Sequence, residues 1–116
     1  MKYLHNYVQL SGRLIHPPKL KRLSDGTYLV NLSIAIQPRL KEDDHTIFQL
    51  VGWGEQAIRI EEHFTSGDYI IVAGELRNRR MQKNGMSIYR TEVLIREFQS
   101  VAKLNYQHDW RKEINN

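Results

Sequence analysis

Residues 47–76 read IFQLVGWGEQAIRIEEHFTSGDYIIVAGEL, and the succession of periods within them decides the fold. From Ile47 to Trp53 the period is two: Ile47, Gln49, Val51 and Trp53 share one face, and Phe48, Leu50 and Gly52 the other, the pattern of a strand. From Gly54 to Phe64 the period lengthens. Ala57, Ile60 and Phe64 fall on one helical stripe with Ile58 at its edge, while Glu55, Arg59, Glu61 and Glu62 face water, as in a short amphipathic helix. Ser66-Gly67-Asp68 ends it. Tyr69 to Leu76 is apolar on both faces as far as Gly74, which marks a central strand covered on both sides.

Working outward, Tyr28 to Ile36 alternates cleanly, with Tyr28, Val30, Leu32, Ile34 and Ile36 on one face. Ser24-Asp25-Gly26-Thr27 before it is a turn signal. Val8, Leu10 and Leu14 alternate with polar residues in an earlier strand, Tyr7 to Leu14. Gly12 interrupts that strand, as at a bulge or a barrel bend, and Pro17-Pro18 bends or ends it. Downstream, Asn78 to Gln82 prolongs the fourth strand into a polar arm, Lys83-Asn84-Gly85 is a hairpin turn, and Ser87 to Val101 is the last strand, with Tyr89, Thr91, Val93 and Ile95 on one face. Gln37 to His45 is a polar loop, and nothing in the pattern assigns Ala102 to Asn116, Trp110 included. Three strands, a short helix and two more strands describe the oligonucleotide-binding barrel, a mainly β fold of five strands with its helix between the third and fourth. The chain divides into one domain, residues 1–104, and a short tail, 105–116.

The chain has 116 residues, no cysteine and 17 Lys+Arg against 13 Asp+Glu. The length suits one domain with its own core. The missing cysteines exclude a disulfide scaffold, a zinc finger and a thiol nucleophile. No stretch approaches the roughly 18 apolar residues of a membrane span, and the first six residues lack a secretory apolar run, so a cytoplasmic location is expected. The net charge of +4 conceals its distribution. Residues 1–41 hold seven basic residues and one acid, residues 42–75 one basic residue and eight acids, and residues 76–90 five basic residues and no acid. Two acid-poor basic blocks brought together by a fold make a surface for phosphates.

Catalysis and metal binding find no support. Glu42-Asp43-Asp44 lies in a polar loop without a partnering His, and no two of the five histidines share ligand spacing on one element. Gly52-Trp53-Gly54 lacks the ending of a phosphate loop. No enzyme activity, cofactor or metal is expected.

Several motifs carry a family resemblance. They are Asn6-x-Val8-x-Leu10-x-Gly12-Arg13-Leu14, Val51-Gly52-Trp53-Gly54 with Ala57 three residues on, and Gly67 thirteen residues past Gly54. Gly74-Glu75-Leu76-Arg77-Asn78-Arg79-Arg80 and Thr91-Glu92-Val93 complete the set. Over residues 6–101 the sequence resembles the bacterial-type single-stranded DNA-binding proteins. The resemblance implies sequence-independent binding and protection of single-stranded DNA in replication, recombination or repair, by a homotetramer or a dimer. It implies that Trp53 stacks on bases and that Arg77, Arg79 and Arg80 contact phosphates. Ile47 and Met81 stand where the family usually has aromatics, so base stacking rests largely on Trp53; Leu40 is the nearest candidate for the loop aromatic of some members. Arg13, Lys19, Lys21 and Arg22 are further cationic candidates, whereas Tyr28, Tyr69 and Tyr89 are read as core or interface. The chain ends Asp109-Trp110-Arg111-Lys112-Glu113-Ile114-Asn115-Asn116, without the acidic, apolar tip through which replicative members recruit other proteins. Two alternatives stay open: a barrel serving as a primosome-like or assembly protein module with weak or no strand binding, and an RNA-binding barrel.

Overall fold

The computed structural model describes residues 4–36 and 46–101. Its elements are β1 (Val8–Leu14), β2 (Lys19–Arg22), β3 (Tyr28–Ile36), β4 (Thr46–Trp53), α1 (Glu55–His63), β5 (Tyr69–Lys83) and β6 (Met86–Ser100). The sheet order is β1-β5-β6-β4-β3-β2, and an additional β1–β3 pairing, Arg13 with Ala35 and Leu14 with Ile34, returns the sheet to its first strand. The result is the five-stranded ring of an oligonucleotide-binding barrel. All pairings are antiparallel except β4–β6, joined at Leu50–Val93 and Val51–Leu94.

Leu14, Val30, Leu32, Ile34, Leu50, Ile70, Val72, Val93 and Ile95 fill the interior from the inward face of each strand. The helix closes one end by burying Ala57 and Ile60, the stripe expected from its period, and Phe64 just beyond it stacks edge-on against Phe98. β5 is central as expected, between β1 and β6.

The short β2 is one strand more than the periodicity predicts. Lys-Leu-Lys-Arg holds a single apolar residue and follows two prolines, so it has no alternation to read; its ladder against β3, Lys19–Asn31 to Arg22–Tyr28, makes it a strand. The turn between them is the one expected at Ser24–Thr27. The Thr27 N–H donates to Asp25 Oδ1 at 2.9 Å, and that backbone hydrogen bond holds the exposed Asp25 carboxyl below its ordinary value.

Two close approaches require glycine. A Cβ on Gly12 would lie 2.8 Å from the Ala35 carbonyl oxygen, just before β1, still paired with β5, also takes up β3. A Cβ on Gly74 would lie 1.8 Å from the Leu94 carbonyl oxygen. Gly74 sits at a register shift: Ala73 pairs with Glu97 but Gly74 with Ile95, leaving Arg96 as the extra residue of a bulge. Beyond the last β4 contact, from Arg77 and Glu92 outward, β5 and β6 continue as a two-stranded ribbon, the arm, turned by Asn84 and Gly85 with φ of 54° and 77°. Asn6 extends the β1–β5 ladder with its side chain: Nδ2 donates to the Leu76 carbonyl and the Leu76 N–H donates to Oδ1, both at 2.8 Å.

Candidate nucleic-acid interface

Directly paired residues share a face of the sheet, so the registers assemble the outer wall. One row runs Lys21–Leu29–Trp53, a second Lys19–Asn31–Val51–Leu94–Glu75, a third Ser33–Gln49, and a fourth Arg13–Ala35–Ile47. On β5 the same face continues through Arg77, Arg79, Met81 and Lys83, opposite Glu92, Arg90, Ile88 and Met86 on β6. Trp53, Ile47, Arg13, Lys21, Arg77, Arg79 and Met81, seven of the sequence candidates, therefore lie on one continuous outer surface, together with Lys19.

Trp53 is 39% exposed and Ile47 57%, so neither closes the core. Leu29, Val51 and Leu94 form a small apolar cluster on the outer wall, and Trp53 stands opposite Leu29. Ser33 Oγ donates to Gln49 Oε1 at 2.9 Å and ties β3 to β4 on this face. At about 4.8 Å between strands and 3.4 Å per residue, Trp53 and Arg77 are roughly 17 Å apart across the wall, a span of a few extended nucleotides.

Two candidates point elsewhere. Arg80 pairs with Tyr89 on the opposite face of the arm, where its Nε donates to Ser87 Oγ at 3.1 Å. Arg22 pairs with Tyr28 and sets its guanidinium 5.8 Å from the centre of that ring; Tyr28 itself packs against the core. Tyr69 and Tyr89, at 51% and 66% exposure, are not core residues of the single chain. The stretch around Leu40 and Glu42-Asp43-Asp44, and the expected tail 105–116, lie outside the described residues.

The arm also contains a pairing that sequence proximity hides. Glu92, only 6% exposed, stands directly opposite Arg77 and diagonally from Arg79, whose Nε approaches its Oε1 at 3.6 Å. That is an ion pair too long for a hydrogen bond. Arg90, opposite Arg79, adds an exposed cation to the same face. Glu92 and Arg90 were open to sequence reasoning: counting outward from the two-residue turn at Asn84-Gly85 pairs Lys83 with Met86 and, step by step, Arg79 with Arg90 and Arg77 with Glu92.

Among the described residues no three His, Asp or Glu side chains gather as a metal site. None of the helices there is long and apolar enough to cross a membrane. What the outer wall offers is an exposed indole beside apolar surface, flanked by cations on four strands: the chemistry of a barrel that holds an unpaired polynucleotide.

Comparison with known proteins agrees. The model of the single-strand binding protein family matches residues 5–101, and the chain belongs to that family. It is 32% identical over 100 residues to single-stranded DNA-binding protein 1 of Streptococcus pyogenes, covering 83% of this chain and 76% of that one. It is 33% identical over 95 residues to single-stranded DNA-binding protein 2 of Nostoc, covering 81% and 74%. A single-stranded DNA-binding protein of Treponema pallidum is 36% identical over 93 residues, covering 76% of this chain but 53% of its own.

Proposed function

We propose that the outer wall binds single-stranded DNA without sequence preference, in replication, recombination or repair, and that the protein performs no reaction on it. The observation that carries this reading is the shared surface of Trp53, Ile47, Met81 and the cations Arg13, Lys19, Lys21, Arg77 and Arg79. Trp53 stacks on a base, which contributes about 1–3 kcal/mol and tolerates any base because every base has a π face. The cations track phosphates, and Ile47 and Met81 give the remaining bases apolar contact. Arg22 lies at the margin of this surface, and Arg80 faces away from it. Binding releases counterions, so affinity falls steeply with salt. The binding unit spans residues 1–104, with 105–116 as a tail, and the protein works in the cytoplasm, where its DNA is.

Titration with oligo-dT at two salt concentrations, read by tryptophan fluorescence and gel shift, tests this. Quenching and a shift that fade at high salt are expected. Unchanged emission with no shift at low salt would leave the barrel as a protein-docking module instead.

The reading includes self-association. β1 pairs β5 along Val8–Arg13 but β3 only at Arg13 and Leu14, so among the described residues its other edge is open from Val8 to Gly12. An open edge is a template for a second copy, and Tyr7 and Tyr69, both exposed, flank β1 with apolar surface. A dimer through this edge, paired again to a tetramer, follows. Light scattering that reports a monomer at micromolar concentration refutes it.

A further inference from the structure

The arm has two faces, and the outer wall accounts for one. Leu76, Asn78, Arg80 and Gln82 face the other way, opposite Val93, Thr91, Tyr89 and Ser87. This second face continues the barrel interior: Gly74 pairs with Ile95 and Leu76 with Val93, and both β6 partners are buried. Two pairs further out there is no core left to cover it, and Tyr89 stands 66% exposed. It is the one aromatic between Leu76 and Val93.

We propose that Tyr89 and Arg80 form a second base-stacking position on this opposite face, taking a nucleobase and its phosphate from the same strand as it passes around the arm. The proposal rests on the single-strand reading above and extends it to a face of the arm that reading does not use. Directly opposed residues on a two-stranded ribbon have Cβ atoms about 4.5–5.5 Å apart, so a base lying on the Tyr89 ring has its phosphate within reach of the Arg80 guanidinium. That guanidinium is held in place through Nε by Ser87 Oγ, and among the described residues it has no carboxylate partner. One step toward the barrel, Thr91 Oγ1 donates to Asn78 Oδ1 at 2.7 Å. This fixes the amide and leaves its Nδ2 donor for a base edge or phosphate.

Charge selects the occupant. The arm carries Arg77, Arg79, Arg80, Lys83 and Arg90 against Glu92 alone, and Glu92 is buried against Arg79. A protein surface covering Tyr89 would have to desolvate these cations or match them with acids, whereas a polynucleotide brings phosphates with its bases. Access is open as well. β6 meets β4 only at Val93 and Leu94, so among the described residues both edges of the ribbon are unpaired from Arg77 outward.

The test combines affinity and cross-linking on the full chain. Labelled oligo-dT is titrated at low salt into wild type, Tyr89→Ala, Tyr89→Phe, Arg77→Ala and Trp53→Ala, each checked for an unchanged melting transition. An oligo-dT bearing 5-iododeoxyuridine is then photo-cross-linked and the attached peptide sequenced. Tyr89→Ala should weaken binding about fivefold or more, since one stacked base contributes that much at the low end, and Tyr89→Phe should stay within about twofold because the ring alone stacks. The cross-linked peptides should include the one containing Tyr89. Wild-type affinity in Tyr89→Ala, or cross-links that omit that peptide, with Arg77→Ala and Trp53→Ala still weakened, overturns this proposal and leaves the single-strand reading intact. Absence of binding by the wild type overturns both.

Discussion

Arg77 and Arg79 carry the same charge on the same face of the arm, yet their removal should have different consequences. Arg77 is exposed and has no ion pair among the described residues, while Arg79 is half-buried against Glu92 at 3.6 Å. On the proposed reading, Arg77→Ala therefore removes a phosphate contact and little else. For single strands each contact contributes about 0.7 to the slope of log K against log salt, so the variant's slope should be shallower by about 0.7. Between 0.05 and 0.2 M salt, a fourfold change, its affinity should accordingly fall about 2.6-fold less than that of the wild type. Arg79→Ala removes one charge but also strands the carboxylate of Glu92, which is only 6% exposed. Leaving a buried charged acceptor unsatisfied costs about 1–3 kcal/mol, which should appear as a lower guanidinium midpoint, and Arg79→Ala with Glu92→Gln should recover most of it. Anisotropy of labelled oligo-dT across a salt series gives the slopes, and chemical denaturation gives the stabilities. An Arg77→Ala slope equal to the wild type's removes Arg77 from the binding surface. An Arg79→Ala variant as stable as the wild type shows that Glu92 does not depend on it.

Three other outcomes are expected. Trp53→Ala should cost about 1–3 kcal/mol of oligo-dT binding with little loss of stability, since the indole is 39% exposed; a large drop in melting temperature instead would make it a structural residue. Gly74→Ala puts a methyl 1.8 Å from the Leu94 carbonyl oxygen and should destabilise by about 3 kcal/mol, seen in denaturation or as loss of soluble protein; a wild-type transition would contradict the bulge. Asn6→Ala removes both side-chain bonds to Leu76 and should cost about 1–2 kcal/mol, which hydrogen exchange at the Leu76 amide reports directly.

The central strands were legible because alternation is local. The Tyr28–Ile36 and Ile47–Trp53 runs state which side chains share a face without reference to any neighbour, and the Ala57, Ile60, Phe64 stripe does so for the helix. The exposed Trp53 was foreseeable for the same reason, through its face-mate Gln49. β2 was not, because one leucine in four residues has no period, and its strand character comes from the β3 edge beside it. Position in the run groups Arg80 with Arg77 and Arg79, although its parity separates it from them, and only the ladder to Tyr89 makes the face it occupies definite.

The sequence by itself determined every element but β2, the family and the excess of cations over acids in two blocks, since each of these depends on residue type and spacing along the chain. The tertiary structure decided which blocks meet. Barrel closure at Arg13–Ala35 and Leu14–Ile34 carries Arg13 to the row of Ile47. The β2 ladder carries Lys21 to the row of Trp53, and the arm's register buries Glu92 against Arg79. Registers and closures pair residues tens of positions apart, and they are selected by core packing and by close approaches at Gly12 and Gly74, which no local period encodes.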